Sequence, residues 1–144
     1  MALPKIVKAP AKVLTTPTSP VENIDGTLVK LTRTMNLVVR ASGIGVALAA
    51  NQIGRSLSMF NYIEDGKTFV VINPTLISVS DEVQVGEEGC LSIPGKRFIK
   101  SRPAKIEVAY YDLQSDYFER ELEGFMARVF LHELDHLKGV LVNG

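Results

Sequence analysis

The sequence predicts an α+β fold in which antiparallel or mixed β-sheets pack around a central C-terminal helix, with one amphipathic helix near the N-terminus. Three observations carry this expectation. A segment from about residue 123 to 137 is apolar around most of its circumference (Phe125, Met126, Val129, Phe130, Leu131, Leu134 and Leu137), and such a helix belongs inside a domain with sheets on several sides. Six short runs in the middle of the chain read as strands. Near the start, Leu28, Leu31, Met35, Val38 and Val39 recur at helical spacing and form one apolar stripe.

In chain order, residues 4–21 hold Pro4, Pro10, Pro17 and Pro20 and read as an extended arm lying over the body. Asp25 is placed to cap the amphipathic helix, which should end before Gly43. Residues 43–53 are rich in Gly and Ala, so a backbone there can approach a neighbour or ligand closely. The strand-like runs are 57–63, 68–72, 75–79, 97–100, 106–111 and 117–121, with Gln114-Ser115-Asp116 turning between the last two. Gly139 is placed to stop the last helix. Asp135 on that helix is either a buried or half-buried partner of Arg102 or a solvated surface group.

Composition bounds the function. At 144 residues a single domain spanning 1–144 is expected. Hydrophobic residues at 46% and charged residues at 22% fit a globular chain. Lys+Arg and Asp+Glu both number 16, so no net field recruits nucleic acid or acidic lipid. One Cys excludes an intrachain disulfide and suits a reducing compartment where a thiolate ligand survives. The start lacks the apolar stretch of a signal peptide, and no run is long enough to span a membrane. A cytoplasmic monomer is expected.

Chemistry concentrates in the pentad His132-Glu133-Leu134-Asp135-His136, which uses both histidines of the chain. Positions four apart share a helix face, so two imidazoles can grip one ion. Glu133 lies about one residue off that face, close enough to handle a proton of water at the ion. The sole cysteine, Cys90, sits upstream in Glu88-Gly89-Cys90-Leu91-Ser92. Three protein ligands would leave a coordination position open, the mark of a catalytic site. The chain reads as a metallohydrolase.

These motifs resemble the peptide deformylase family, which removes the formyl group from N-terminal methionine. Gly45-Val46-Ala47-Leu48-Ala49-Ala50-Asn51-Gln52 is similar to the family's G-x-G-L-A-A-x-Q motif; Glu88-Gly89-Cys90-Leu91-Ser92 matches E-G-C-L-S; and His132 to His136 matches H-E-x-D-H. Two departures stand out. Ala47 replaces the second glycine, although Gly43-Ile44-Gly45 offers another alignment, and Leu131 stands where the family usually has glutamine. The chain ends at Gly144, where many relatives continue into a helix that contacts the ribosome; ribosome contact is therefore not expected, and the form resembles phage-encoded ones.

The resemblance implies a metal held by Cys90, His132 and His136, Glu133 as general base and acid, and Gln52 with the Leu91 backbone N–H as oxyanion donors. It implies one Fe2+ per chain in the cell, with Zn2+, Ni2+ or Co2+ able to substitute. The substrate is a formyl-Met nascent peptide, paired along Gly45, Val46 and Ala47 with Glu88 and Gly89 opposite. The methionine pocket is expected from Phe125, the Arg128 stem, Val129 and His132, although Phe125 and Val129 equally suit plain core. Arg97 meets a downstream carbonyl or carboxylate, or is simply exposed. The resemblance places the protein in the cytoplasm of a bacterial or phage-infected cell rather than an organellar stroma. A zincin-type peptidase would need a third ligand beyond His136, and none follows; a silent binding protein would have lost Glu133, Gln52 or a ligand.

Overall fold

Asp25 begins the first helix as its residue type predicts. In the computed structural model, which describes residues 3–143, the Asp25 carboxylate accepts from Leu28 N at 3.1 Å and α1 runs Gly26–Ala41. Leu28, Leu31, Met35, Val38 and Val39 are all buried, packed with Leu48, Met59 and Ile72. Then follow β1 (Ala47–Ala49), β2 (Met59–Glu64), β3 (Lys67–Val79), β4 (Val83–Cys90), β5 (Ile93–Pro103), β6 (Lys105–Tyr111), β7 (Tyr117–Glu123) and α2 (Gly124–Leu137). Five strands form an antiparallel sheet in the order β1-β2-β3-β6-β7, so β1 is an edge; β4 and β5 form a separate antiparallel pair. Among the described residues no helix is long and apolar enough to cross a membrane.

The predicted α+β class holds, with α2 inside it. This helix touches β1, β5, β6 and β7 and buries nine of its residues. Phe130 centres the contact, edge-on to Phe60 at 5.1 Å and tilted against Tyr62 at 5.2 Å and Tyr110 at 5.9 Å. Each fully buried Leu, Val or Phe stabilises the packing by about 1.5–3 kcal/mol. That area fixes the rotation of α2 and therefore the direction in which its histidines face.

The strand boundaries differ from the sequence expectation in three ways. Runs 68–72 and 75–79 are one strand, β3, which slips register between Ile72 and Thr75. At the slip Asn73 adopts φ 50° and its amide bonds both N and O of Val21, each at 2.8 Å, so the bulge anchors the N-terminal arm. The predicted strand 97–100 extends over Ile93–Pro103 because β4, not expected from sequence, pairs along it from Val83↔Pro103 to Gly89↔Arg97. Its apolar Val83 and Val85 face solvent while Gln84 and Glu88 turn inward, the reverse of a half-buried strand. Finally, β1 lies inside the Gly/Ala segment, whose small residues give little strand signal.

The arm is extended as predicted. Val7 N donates to Gln52 O at 2.7 Å, Ala9 N to Ser92 O at 2.9 Å, and Thr18 N to Leu137 O at 2.9 Å. A 3₁₀ turn at Lys12–Thr15, absent from the sequence expectation, inserts the fully buried Leu14. That turn lies against the end of α2, where Gly139 adopts φ 79° and a Cβ would meet Thr15 C at 2.8 Å.

Gly139 therefore answers two demands, a left-handed backbone and a close backbone approach. Gly139→Ala should lower stability by about 2 kcal/mol or more, a fall in Tm of at least ~4 °C. Gly26→Ala is the control: its Cβ meets nothing within 4 Å, and the change should be neutral or slightly stabilising. Thermal unfolding of the two variants checks this, and an unchanged Tm for Gly139→Ala would contradict it.

Candidate metal centre

The i, i+4 spacing of His132 and His136 sets their rings one turn apart on α2, edge to face with centroids 5.0 Å apart. Cys90 closes β4, where the ladder with β5 slips register after Gly89. A ligand atom from each of Cys90, His132 and His136 lies within 4.8 Å of the others, and Cys90 Sγ is 3.4 Å from His136 Nε2. Two imidazoles and one thiolate are a donor set for divalent iron, zinc, nickel or cobalt. Glu133 Oε1 is buried without a hydrogen-bond partner among the described residues, as suits a group arranged for something other than protein.

One nitrogen of His132 is already committed. Nδ1 lies 2.9 Å from Glu88 Oε1, which turns Nε2 toward the other ligands and sets the ring's orientation. The same carboxylate accepts from Arg102 Nη2 and Nε, both at 2.8 Å, and from Arg128 Nη1 at 2.7 Å. Arg102 Nη1 continues to Asp135 Oδ2 at 2.7 Å. Asp135 is thus a half-buried ion-pair partner, settling the two readings in favour of the pair. Two carboxylates face two guanidiniums, so the set is neutral. Gly86 makes room for it: a Cβ there would come within 3.1 Å of Arg128 Nη2.

Protonation follows from this arrangement. Burial pushes the Glu88 carboxyl up, but hydrogen bonds from Arg102 and His132 outweigh that and hold it well below the usual carboxylate range. Burial works against charge on His132 too, yet its contacts with Cys90 and Glu88 raise it to about 10. His136, buried and next to His132, falls to about 3 and is neutral. Burial raises Glu133 to about 7, against the pull of His132. A metal held at this centre would take the place of the proton on His132.

Gln52 sits on a 3₁₀ turn, Ala50–Ile53, and is 2% exposed. Its Oε1 accepts from Ala49 N at 3.0 Å, which sends Nε2 to Ser92 Oγ at 3.1 Å and toward Cys90 Sγ at 3.7 Å. Behind the site, Asn51 Nδ2 donates to the His136 carbonyl at 2.8 Å.

Above the ligands opens a cavity of about 690 Å³. Gly45, Val46 and Ala47 form one wall; Glu88, Gly89, Cys90, Leu91 and Arg97 form the facing one; Phe125, Arg128, Val129, His132 and Glu133 come from α2. Gln52 also lines it, while His136 lies beneath, 1% exposed. Gly43, at φ 74°, turns the chain after α1, leaving Gly45 in the wall, where a Cβ would be 2.8 Å from the Leu91 side chain. Phe125 is 63% exposed, whereas Val129 is buried in the core cluster as well as bordering the cavity.

Glu88 and Arg97 both border the cavity and differ in where their side chains go. Glu88 is part of the facing wall, with its side chain turned inward, 5% exposed, where it meets two guanidiniums. Arg97 is exposed, 3.7 Å from Glu87, with its guanidinium over Gly89. Sequence reasoning missed Ile6, Lys8, Ile44, Glu87 and residues 93–96 in the lining, and Ser92 beside Gln52. A usable signal existed for Glu88 alone: it stands two before Cys90, on the same face of a strand.

A family model described as polypeptide deformylase matches residues 3–143. Peptide deformylase 1 of Bacillus cereus is 41% identical over 143 residues, covering 98% of this chain and 90% of that protein. The Thermotoga maritima peptide deformylase is 45% identical over 98 residues, and the matched segment spans 60% of that relative's length. A crystal structure of peptide deformylase from Thermotoga maritima superposes with TM-score 0.95 at 37% identity, covering 99% of this chain and 97% of that one. The Met-Ala-Ser-bound peptide deformylase of Acinetobacter baumannii gives TM-score 0.92 at 29% identity, over 97% and 96% of the two chains.

Glu88→Gln tests the buried set. It leaves Arg102 and Arg128 short of charge, so stability should fall by about 3–5 kcal/mol, and metal affinity should drop by about 10–100-fold as His132 loses its orienting partner. Urea unfolding and chelator competition read the two effects. Undiminished metal affinity in the folded variant would detach Glu88 from the centre.

Proposed function

Because this chain belongs to the polypeptide deformylase family, we propose that it hydrolyses the N-formyl group from the N-terminal formyl-methionine of nascent peptides, releasing formate, as a single catalytic unit. The observation that carries the reading is the convergence of Cys90, His132 and His136 beside Glu133 at the floor of an open cavity. Fe2+ is the proposed ion in the cell, with Zn2+, Ni2+ or Co2+ as substitutes. The proposed setting is the cytoplasm of a bacterial or phage-infected cell, with the protein acting as a monomer.

Cys90, His132 and His136 hold the ion, and His132 is presented to it by Glu88. Bound there, a divalent ion supplies Lewis acidity that polarises the formyl oxygen and lowers the pKa of water. Glu133 takes the proton of the attacking water and returns it to the departing amine. Its burial raises its pKa to about 7, near the pH at which a group can perform both transfers. Gln52 Nε2 and the Leu91 backbone N–H donate to the developing oxyanion. The hydrogen bond from Ala49 N to Gln52 Oε1 fixes which end of the amide faces the reaction.

The peptide is proposed to lie as an added strand between two edges, Gly45 to Ala47 leading into β1 and Gly89 on β4. Its methionine enters beside Phe125, Val129, His132 and the aliphatic stem of Arg128, whose guanidinium is withdrawn to Glu88. Arg97 stands where later residues of the peptide pass. The Acinetobacter baumannii protein binds Met-Ala-Ser, a peptide that begins with methionine, in a fold superposable on this one.

Fe2+-loaded protein, kept anaerobic because a thiolate beside ferrous iron oxidises, should release formate from a formyl-Met peptide and leave an acetyl-Met peptide intact. Folded, metal-loaded protein that releases none would overturn the reading.

Two variants test the roles. Glu133→Ala should keep its metal and lose about 10²–10⁴ in turnover; a near-normal rate would remove Glu133 from the proton transfer. Gln52→Leu should lower kcat by roughly 10²–10³, whereas an effect confined to KM would show equal binding of ground and transition states.

A further inference from the structure

The cavity is charged unevenly from floor to mouth. On the floor, Glu88 and Arg128 are buried and paired with each other, and the largely buried His132 also bonds Glu88. At the mouth the ionisable lining residues are Lys8, Lys96, Arg97 and Glu87, all exposed. Glu87 has one partner, Arg97, at 3.7 Å with both side chains more than half exposed, so it offsets little of that charge. Lys8 and Lys96 pair with no carboxylate among the described residues. Three cations against one anion, on a chain whose net charge is zero, is a local arrangement and not an average.

The backbone holds these cations in place. Lys8 lies between two hydrogen bonds of the arm, Val7 N to Gln52 O and Ala9 N to Ser92 O, and both Ile6 and Lys8 line the cavity, as alternate residues of an extended segment do. Lys96 follows Gly95, whose φ of 78° turns the start of β5. Arg97 folds across the β4 edge because its cross-strand partner is Gly89; a Cβ there would lie 2.8 Å from Nη1.

We propose that the cavity mouth is a cationic subsite, formed by Lys8, Lys96 and Arg97, that selects acidic side chains downstream of the N-terminal methionine. The proposal rests on the deformylase reading. A peptide whose first residue reaches Cys90 must leave past these side chains. Walls of low dielectric on either side strengthen their field at that point.

The test uses metal-loaded protein and amidated formyl-Met hexapeptides that differ only in carrying Glu, Ala or Lys after the second residue. The expected order is Glu, then Ala, then Lys, with about a tenfold span in kcat/KM at low salt, carried in KM. Raising salt to ~0.5 M should compress the span, and the Lys8→Glu, Lys96→Glu double variant should invert it. Equal rates for the three peptides, or a ranking that ignores both salt and charge reversal, overturns the proposal. The Ala peptide as free acid separates an alternative source of carboxylate: a gain for it without a gain for Glu also overturns selection of side chains. Failure to release formate even from the neutral Ala peptide refutes the deformylase reading instead. The charge ranking is then read from binding of the same peptides by fluorescence anisotropy, with the same order required.

Discussion

The Glu88 carboxylate is the interaction on which the remaining geometry hangs. Four donors reach its two oxygens, from Arg102, Arg128 and His132, which fills the acceptor capacity of a carboxylate. It joins a strand of the separate two-stranded sheet to the helix that carries both histidines, and Arg102 extends the link to Asp135 one turn away. Moving any one of these charges out of water costs several kcal/mol. The cost is offset only when all four are present at hydrogen-bond distance. Such a set has one low-energy arrangement, and that arrangement orients His132. Packing of Phe130 fixes the rotation of α2, and the charge network fixes β4 against it.

How much of this was legible in the sequence depended on whether the signal was local. The α1 stripe and its Asp25 cap are local, and both are where the sequence predicts. So is the pentad, because helical spacing alone brings His132 and His136 together. Cys90 could be named because no other cysteine competes. Residues whose roles depend on partners far along the chain were not legible. Glu88 needs the β4–β5 register and the rotation of α2 before its four donors appear. β4 escaped notice because Val83 and Val85 point outward and glycines interrupt the run. Pro74 made one strand read as two. Lys8 and Ile6 border the cavity only because their arm bonds to Gln52 and Ser92.

The cavity wall and the catalytic machinery are consequently not separable parts. Gln52 receives the arm through its backbone carbonyl and points its amide at the centre through its side chain. Arg128 lends a stem to the wall and a guanidinium to Glu88. A change in the lining is therefore transmitted to the ligands by contacts of under about 3 Å, the length of a strong charge-assisted hydrogen bond.

The hydrogen bonds from Thr18 to the Leu137 carbonyl join positions 119 residues apart. During synthesis the arm emerges early and its acceptor late; at roughly 5–20 residues per second the interval is on the order of ten seconds. Until then the Thr15 backbone has no Gly139 to lie against, and the two histidines have not yet met Cys90. A nascent copy of this chain thus carries its thiol before either histidine has been made. On that order of emergence, a metal held by Cys90, His132 and His136 would be captured late, by a chain that has nearly finished folding.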